Sequence, residues 1–331
     1  MRNKLIQQIQ SIDPSVFDET ALKVFRYQAK HNDVYAKFLD LLSIRIDQVN
    51  TVEAIPFLPI SLFKNEIIKT GLWEPEVIFT SSGTTGNQTS SHHIRSLAWY
   101  RDQSLKGFEQ RYGPVQNYCI LALLPSYLER KGSSLVYMVD QFISLSNYKQ
   151  SGYFLYDLDR LIEVLLDCKS RQIRTLLIGV SFALLDFAEK NAIDLSDTII
   201  METGGMKGRR QEITREELHQ ILSKAFQVDY IHSEYGMTEL LSQAYSKGNG
   251  LFNPMHTMKV FCRELTDPLT LQKPGKSGLI NIIDLANLDS CSFIATDDLG
   301  IVHPDGSFEV LGRLDHSDIR GCNLLLSEID L

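Results

Sequence analysis

The chain has 331 residues, 44% of them hydrophobic, enough for a large core and for about two domains. Its 33 basic and 41 acidic residues leave a net charge of -8, which argues against nucleic acid as a main partner, since that would call for a basic stripe. The five cysteines are scattered, with no C-x-x-C, no apolar leader follows Met1, and no apolar run approaches the roughly 18 residues of a membrane span. A cytoplasmic, reducing setting with neither disulfide framework nor zinc site is expected.

Residues 1–50 read as helical, with apolar positions between Ala21 and Leu42 at three- and four-residue spacing and Asp18 as a cap. Ile55-Pro56-Phe57-Leu58-Pro59-Ile60 is too proline-rich for a helix interior and predicts an extended connector. Val77-Ile78-Phe79 reads as a strand leading into Thr80-Ser81-Ser82-Gly83-Thr84-Thr85-Gly86-Asn87-Gln88-Thr89-Ser90, and residues 92–108 as a helix beyond it. Seven of those eleven loop residues are Ser or Thr and two are Gly. Hydroxyls, close-approaching backbone and a helix start suit a polyphosphate. No Lys follows Gly86, so the Walker arrangement is excluded.

Further strands are predicted at 118–124, 175–180, 198–201 and 228–232, with helices beyond Ser133 and at 157–169, 182–191 and 214–226. This alternation implies an α/β fold: a largely parallel sheet covered by helices, with ligands beyond the carboxyl ends of its strands. From about 250 the texture changes to strands at 279–285 and 292–295 and a hairpin over 300–311 that turns at His303-Pro304-Asp305-Gly306. The division expected is an α/β core with N-terminal helices over 1–250, then a β-rich subdomain and tail over 251–331.

Three later stretches carry groups of chemical interest. Ser233-Glu234-Tyr235-Gly236-Met237-Thr238-Glu239 offers an aromatic face, a glycine turn, a hydroxyl and a carboxylate, and Thr238 and Glu239 are oxygen ligands of the kind a hard divalent cation takes. Ala295-Thr296-Asp297-Asp298-Leu299-Gly300 sets a carboxylate at a strand end, suited either to ribose hydroxyls or to an Asx turn. Leu311-Gly312-Arg313-Leu314-Asp315 follows it. His232, just before Tyr235, is a candidate for touching an acyl carboxylate; His92-His93 reads as a helix start or as a phosphate contact.

In this order, over about residues 75–322, these stretches resemble the motifs of the adenylate-forming (acyl-activating) superfamily. The phosphate loop corresponds to 80–86, Tyr-Gly-x-Thr-Glu stands intact at 235–239, Thr-Gly-Asp-Leu-Gly becomes Thr296-Asp297-Asp298-Leu299-Gly300, and the Gly-Arg-x-Asp hinge is Gly312-Arg313-Leu314-Asp315. The resemblance implies ATP and Mg²⁺ as cofactors. It places Ser81, Ser82, Gly83, Thr84, Thr85 and Gly86 around phosphates, and Tyr235 on adenine with Gly204, Gly205 and Gly236 at that pocket. It also implies Asp298 with Arg313 on ribose, and Thr238 with Glu239 beside phosphate and metal. Asn87-Gln88 replaces the Pro-Lys common in that superfamily, which removes a loop lysine.

The wider pattern is similar to the acyl-protein synthetases of bacterial luminescence (LuxE type), including residues 124–130, 134–138 and Asp318-Ile319-Arg320-Gly321-Cys322. In that family a cysteine close to the C-terminus accepts the acyl group, and Cys322 occupies the corresponding place. The superfamily's mobile C-terminal domain is expected to be absent, because nine residues follow Cys322. The implied activity is formation of an acyl-AMP from a fatty or related acid and transfer to Cys322, with an acyl reductase, a thioesterase-like protein or a carrier as partner. A ligase that passes the acyl group to CoA or a carrier, and an inactive nucleotide-binding scaffold, are the alternatives.

Overall fold

In the computed structural model, which describes residues 1–81, 89–125, 132–204 and 213–314, the chain opens with helices α1 (Arg2–Gln10), α2 (Phe17–His31) and α3 (Asp33–Leu41). Buried positions on α2 recur at helical spacing, through Phe17, Thr20, Ala21, Val24, Phe25 and Gln28. Asp18 lies inside the first turn of α2, not at its cap. The capping side chains are Asp13, on the 3-10 turn before α2, and Asn32, which accepts from Tyr35 N ahead of α3. The proline-rich connector carries β1 (Leu58–Pro59) and a single helical turn, α4 (Leu62–Asn65).

β2 (Val77–Thr80) and β3 (Ser91–Ile94) pair antiparallel on either side of the Ser/Thr/Gly loop. The helix expected over 92–108 therefore starts later, as α5 (Leu97–Tyr112), because pairing with β2 takes residues 91–94 first; Ser96 caps it, accepting from Trp99 N. Next come β4 (Cys119–Leu123), α6 (Ser134–Leu145), β5 (Gly152–Tyr153), α7 (Leu158–Ser170), β6 (Thr175–Val180), α8 (Ser181–Lys190), β7 (Thr198–Thr203) and α9 (Arg215–Phe226). Ser133, Asp157 and Thr214 cap α6, α7 and α9 with side-chain acceptors. The following strand is β8 (His232–Tyr235), not 228–232. Helix α9 ends in the left-handed Gln227 and Val228 N turns back to Ser223 O, so the chain rejoins the sheet only at His232, opposite Met201.

β9 (Ala244–Ser246), β10 (Leu251–Pro254), β11 (Met258–Arg263), β12 (Ser277–Asp284), β13 (Phe293–Val302) and β14 (Phe308–Arg313) complete the chain. Among the described residues one mixed sheet runs in the order β11-β12-β13-β14-β10-β9-β8-β7-β6-β4-β5, and β1 adds parallel to β13. The β4–β8 half is parallel, as the alternation predicts; from β8 outward along this path the pairings are antiparallel. The turn at 303–306 joins β13 to β14, closed by His303 N to Ser307 O at 2.8 Å.

Two apolar clusters fill the molecule. One holds the parallel strands with α5 to α9, and the other holds α1 to α3 against β10 to β13. Trp99 packs on both and donates its indole N–H to Ala286 O at 2.8 Å. Among the described residues no helix is long and apolar enough to cross a membrane.

Candidate active site

The candidate site lies at the carboxyl ends of β7 and β8, where parallel pairing gives way to antiparallel. Thr203 sits opposite Glu234 in the parallel register and donates its hydroxyl to Glu234 Oε2, which puts Gly204, at φ +64°, beside Tyr235. A side chain at Gly236 would place its Cβ 2.5 Å from Glu234 Oε1, so the Glu234 carboxylate would have to move aside to admit one.

The Tyr235 ring is buried against Phe252 and Phe308, with centroids at 5.8 and 5.4 Å, and its hydroxyl donates to Asp298 Oδ2 at 2.9 Å. Asp298 and Arg313 are direct cross-strand partners on β13 and β14, with Arg313 Nε 3.8 Å from Asp298 Oδ1. Burial pushes the Asp298 carboxyl up, while Arg313 and the Tyr235 hydroxyl pull it back. Arg313 itself is largely exposed, so its charge is available to a ligand from solvent.

Thr238 and Glu239 are held mainly through their backbone. His92 Nδ1 donates to Thr238 O at 2.8 Å and Asn287 Nδ2 donates to Glu239 O at 2.7 Å. Two residues on, the buried Asp284 accepts from Leu241 N at 2.7 Å and Ser242 N at 3.0 Å. The Glu239 carboxyl is raised by its burial, against a hydroxyl from Ser90 and the charge of Arg313; Asp298 adds to the rise. Glu239, Ser90, Asp298 and Arg313 thus share one electrostatic neighbourhood. Ser90 also closes the base of the Ser/Thr/Gly loop: its N–H donates to Ser81 Oγ at 2.9 Å, and Ser81 N donates to Ser90 O at 3.1 Å.

Ser81, Gly204, Tyr235, Gly236, Thr238, Glu239, Asp298 and Arg313 therefore lie at one edge of the sheet. Ser82, Gly83, Thr84, Thr85, Gly86, Gly205 and Cys322 lie outside the described residues. His232 stands apart. Three residues before Tyr235, it points to the other face of β8, where its Nδ1 lies 3.1 Å from the Tyr112 hydroxyl. Burial, with Lys247 and Arg111 nearby, brings its pKa down to about 4, so the ring is neutral at ordinary pH. His92 is not a helix start: it is a buried residue of β3 whose ring bonds behind the Thr238 carbonyl.

Sequence reasoning missed several residues that position this edge. Asp284 carried a signal, a carboxylate ending the apolar run of β12. Asn287 carried none. Arg215 sits beside a visible cap, Thr214, but its reach was invisible: Nε lies 3.4 Å from the buried Glu202 at the end of β7, Nη1 donates to Val310 O at 2.6 Å, and the guanidinium covers the Phe252 ring at 5.1 Å. It ties β7, β10 and β14 together under Tyr235.

The oxygen donors fit a hard cation accompanying a phosphorylated ligand. Thr238 and Glu239 supply a hydroxyl and a carboxylate, and among the described residues no group of three or more His, Cys, Asp or Glu stands ready to hold a metal alone.

Comparison with known proteins finds relatives in sequence and in fold. Two long-chain-fatty-acid–luciferin-component ligases are each 26% identical to the chain. The one from Aliivibrio fischeri aligns over 94% of this chain and 88% of its own length, and the one from Vibrio harveyi over 92% and 85%. Among solved structures, an open conformation of 2-hydroxyisobutyryl-CoA ligase matches 94% of this chain and 78% of its own, with a TM-score of 0.63 at 10% identity. ATP-bound MatB from Rhodopseudomonas palustris matches 71% of this chain at a TM-score of 0.53 and 14% identity, and this chain spans about half of that protein (47%). These structural likenesses show a shared fold. The family model described as "Acyl-protein synthetase, LuxE" matches residues 9–329, and the chain belongs to that family.

Proposed function

We propose that the chain activates a fatty or related carboxylic acid with ATP and then carries the acyl group on Cys322. The observation that supports this most is the convergence of Tyr235, Asp298, Arg313, Glu239 and Ser90 in one place, although they come from separated parts of the chain. A carboxylate is a poor acyl donor because it has no good leaving group. In the first step one carboxylate oxygen of the acid bonds to the α-phosphorus of ATP and pyrophosphate leaves, giving the acyl-AMP. Such a step asks the protein mostly for positioning and charge neutralisation. Asp298 and Arg313 hold the ribose end, Tyr235 and the Gly204 turn border the base, and the Ser81–Ser90 loop takes the phosphates. Glu239 and Thr238 would hold a Mg²⁺ ion, which would supply charge neutralisation at the phosphates.

In the second step a thiolate attacks the acyl carbon, AMP leaves, and a thioester forms. The other four cysteines are poor acceptors. Cys119, Cys168, Cys262 and Cys291 are all buried; burial pushes the Cys262 and Cys291 thiols up to about 11 and about 12, and the Cys168 thiol, drawn down to about 7 by the neighbouring Cys119, has no surface open to an acyl donor. Acyl transfer onward to a reductase, a thioesterase-like protein or a carrier completes the proposal.

The test uses a radiolabelled fatty acid and ATP. A hydroxylamine-labile acyl label should appear on the protein, and Cys322→Ser should abolish it while leaving acid-dependent pyrophosphate exchange intact. Thioester label persisting on the Ser variant, or full turnover of Cys322→Ala with CoA as acceptor, would contradict the cysteine step.

A further inference from the structure

Behind the Tyr235–Gly236 turn, on the face of the sheet away from Asp298, buried polar groups collect without partners. Gln103 of α5 is fully buried, and neither its Oε1 nor its Nε2 has a hydrogen bond. The same holds for the Tyr245 hydroxyl and for Gln243 Oε1, both on buried residues at β9. Buried polar side-chain atoms are nearly always paired, because an unpaired one has given up water for nothing.

The three side chains share one neighbourhood. Gln103 lies one helical turn before Gly107, where a Cβ would meet Met255 Sδ at 3.0 Å; that sulfur accepts from Gln243 N at 3.3 Å. Gln243 Cγ lies 3.6 Å from where a Gly236 Cβ would stand. Tyr245 packs edge-on against Phe108 and Tyr112 of α5, with centroids at 6.1 and 5.6 Å. Burial first, and then the charge of Glu234, pushes both the Tyr100 and Tyr245 phenols up, so Glu234 borders the same group. Gln243 thus borders Gly236, the residue that directly follows Tyr235, where the acid is activated in the proposed reaction.

A plain hydrocarbon chain entering from that side would leave all four polar atoms unpaired. A hydroxyl or amide on the acid would pair with them, since Gln and Tyr each offer both a donor and an acceptor. The neighbouring Glu234 carboxylate disfavours a second carboxylate there. We propose that Gln103, Gln243 and Tyr245 form the polar end of the acyl pocket, and that the acid this chain activates carries a neutral hydrogen-bonding group on its chain. This rests on the adenylation reading above and narrows its substrate class.

The experiment measures acid-dependent pyrophosphate exchange for unsubstituted alkyl acids and for the same acids with one hydroxyl walked along the chain. The best hydroxy acid should exceed its alkyl parent in kcat/KM by about 100-fold or more, because a site built to bond a hydroxyl discriminates strongly against its absence. Gln103→Leu and Tyr245→Phe should each shrink that ratio to about 10-fold or less. Both variants should keep or raise the Tm, since no hydrogen bond within the protein is lost. An alkyl acid used as well as every hydroxy acid would overturn the proposal. So would a ratio unmoved in both variants, or a lowered Tm with the ratio unchanged, which would mark a structural role through buried water. Exchange with alkyl acids alone refutes only this inference, whereas exchange with no acid refutes the adenylation reading and this inference with it.

Discussion

His92 shows how a residue's role follows from its surroundings. Between the loop and α5 its sequence position suggests a helix start, yet β3 carries it into the interior behind Thr238. Desolvation brings its pKa from 6.5 to about 4, despite the Thr238 carbonyl that favours the protonated ring. Between those values the unfolded chain binds a proton that the folded chain does not, so stability falls as pH falls through the window. The full cost is about 3 kcal/mol for this group. Urea midpoints measured from pH 7 to pH 4 should decline steeply below about 6.5, and His92→Gln should flatten part of that decline. A His92→Gln profile parallel to that of wild type would contradict the assignment. At this scale the motif residues were legible, because Tyr235, Glu239, Asp298 and Arg313 stand in stretches whose order resembles the motifs of the adenylate-forming superfamily. The supports were not: His92, Asn287 and Arg215 act through contacts to residues far away in the sequence, and no local pattern announces such contacts.

Among the elements, the segment between β12 and β13 links the N-terminal helices to the site. Gln28 of α2 donates to the carbonyls of Asn287 and Leu288 at 3.1 and 3.0 Å and accepts from Ser292 N at 2.9 Å, while Asn32 donates to Ser290 O at 2.9 Å. Asn287 then reaches Glu239, and Asp284 holds Leu241, Ser242 and Ala286. The Asp284 carboxyl is raised by burial although four hydrogen bonds from Ser242, Leu241 and Ala286 oppose this. Asp284→Ala would strand three buried N–H groups, at a cost of about 3 kcal/mol or more. Chemical denaturation should show that loss, together with weaker pyrophosphate exchange, although Asp284 touches no ligand in the proposed site. Wild-type stability in this variant would contradict the role. The helices of residues 1–50 were visible from their spacing and the strands from their apolar runs. Misplaced boundaries at 92 and 228 came from tertiary pairing, β2 with β3 and β7 with β8, which outweighs local preference.

For the whole molecule, the change of texture near residue 250 was legible, and the strands beyond it were expected. Their joining to the parallel half through β8, β9, β10 and β14 was not, because antiparallel order across a mixed sheet depends on pairings far apart in sequence. That joining is what brings Asp298 and Arg313 to Tyr235, and so makes one site from motifs 63 residues or more apart, as with Tyr235 and Asp298. The most direct measurement of that convergence is ATP–pyrophosphate exchange driven by carboxylic acids, in wild type and in Asp298→Ala. The account predicts acid-dependent exchange in the wild type, a fall of about 100-fold or more in the variant, expressed mainly in the KM for ATP, and a folded variant whose Tm drops only by what the stranded Tyr235 hydroxyl costs. Absence of exchange with every acid, or a variant that exchanges like wild type, would contradict it.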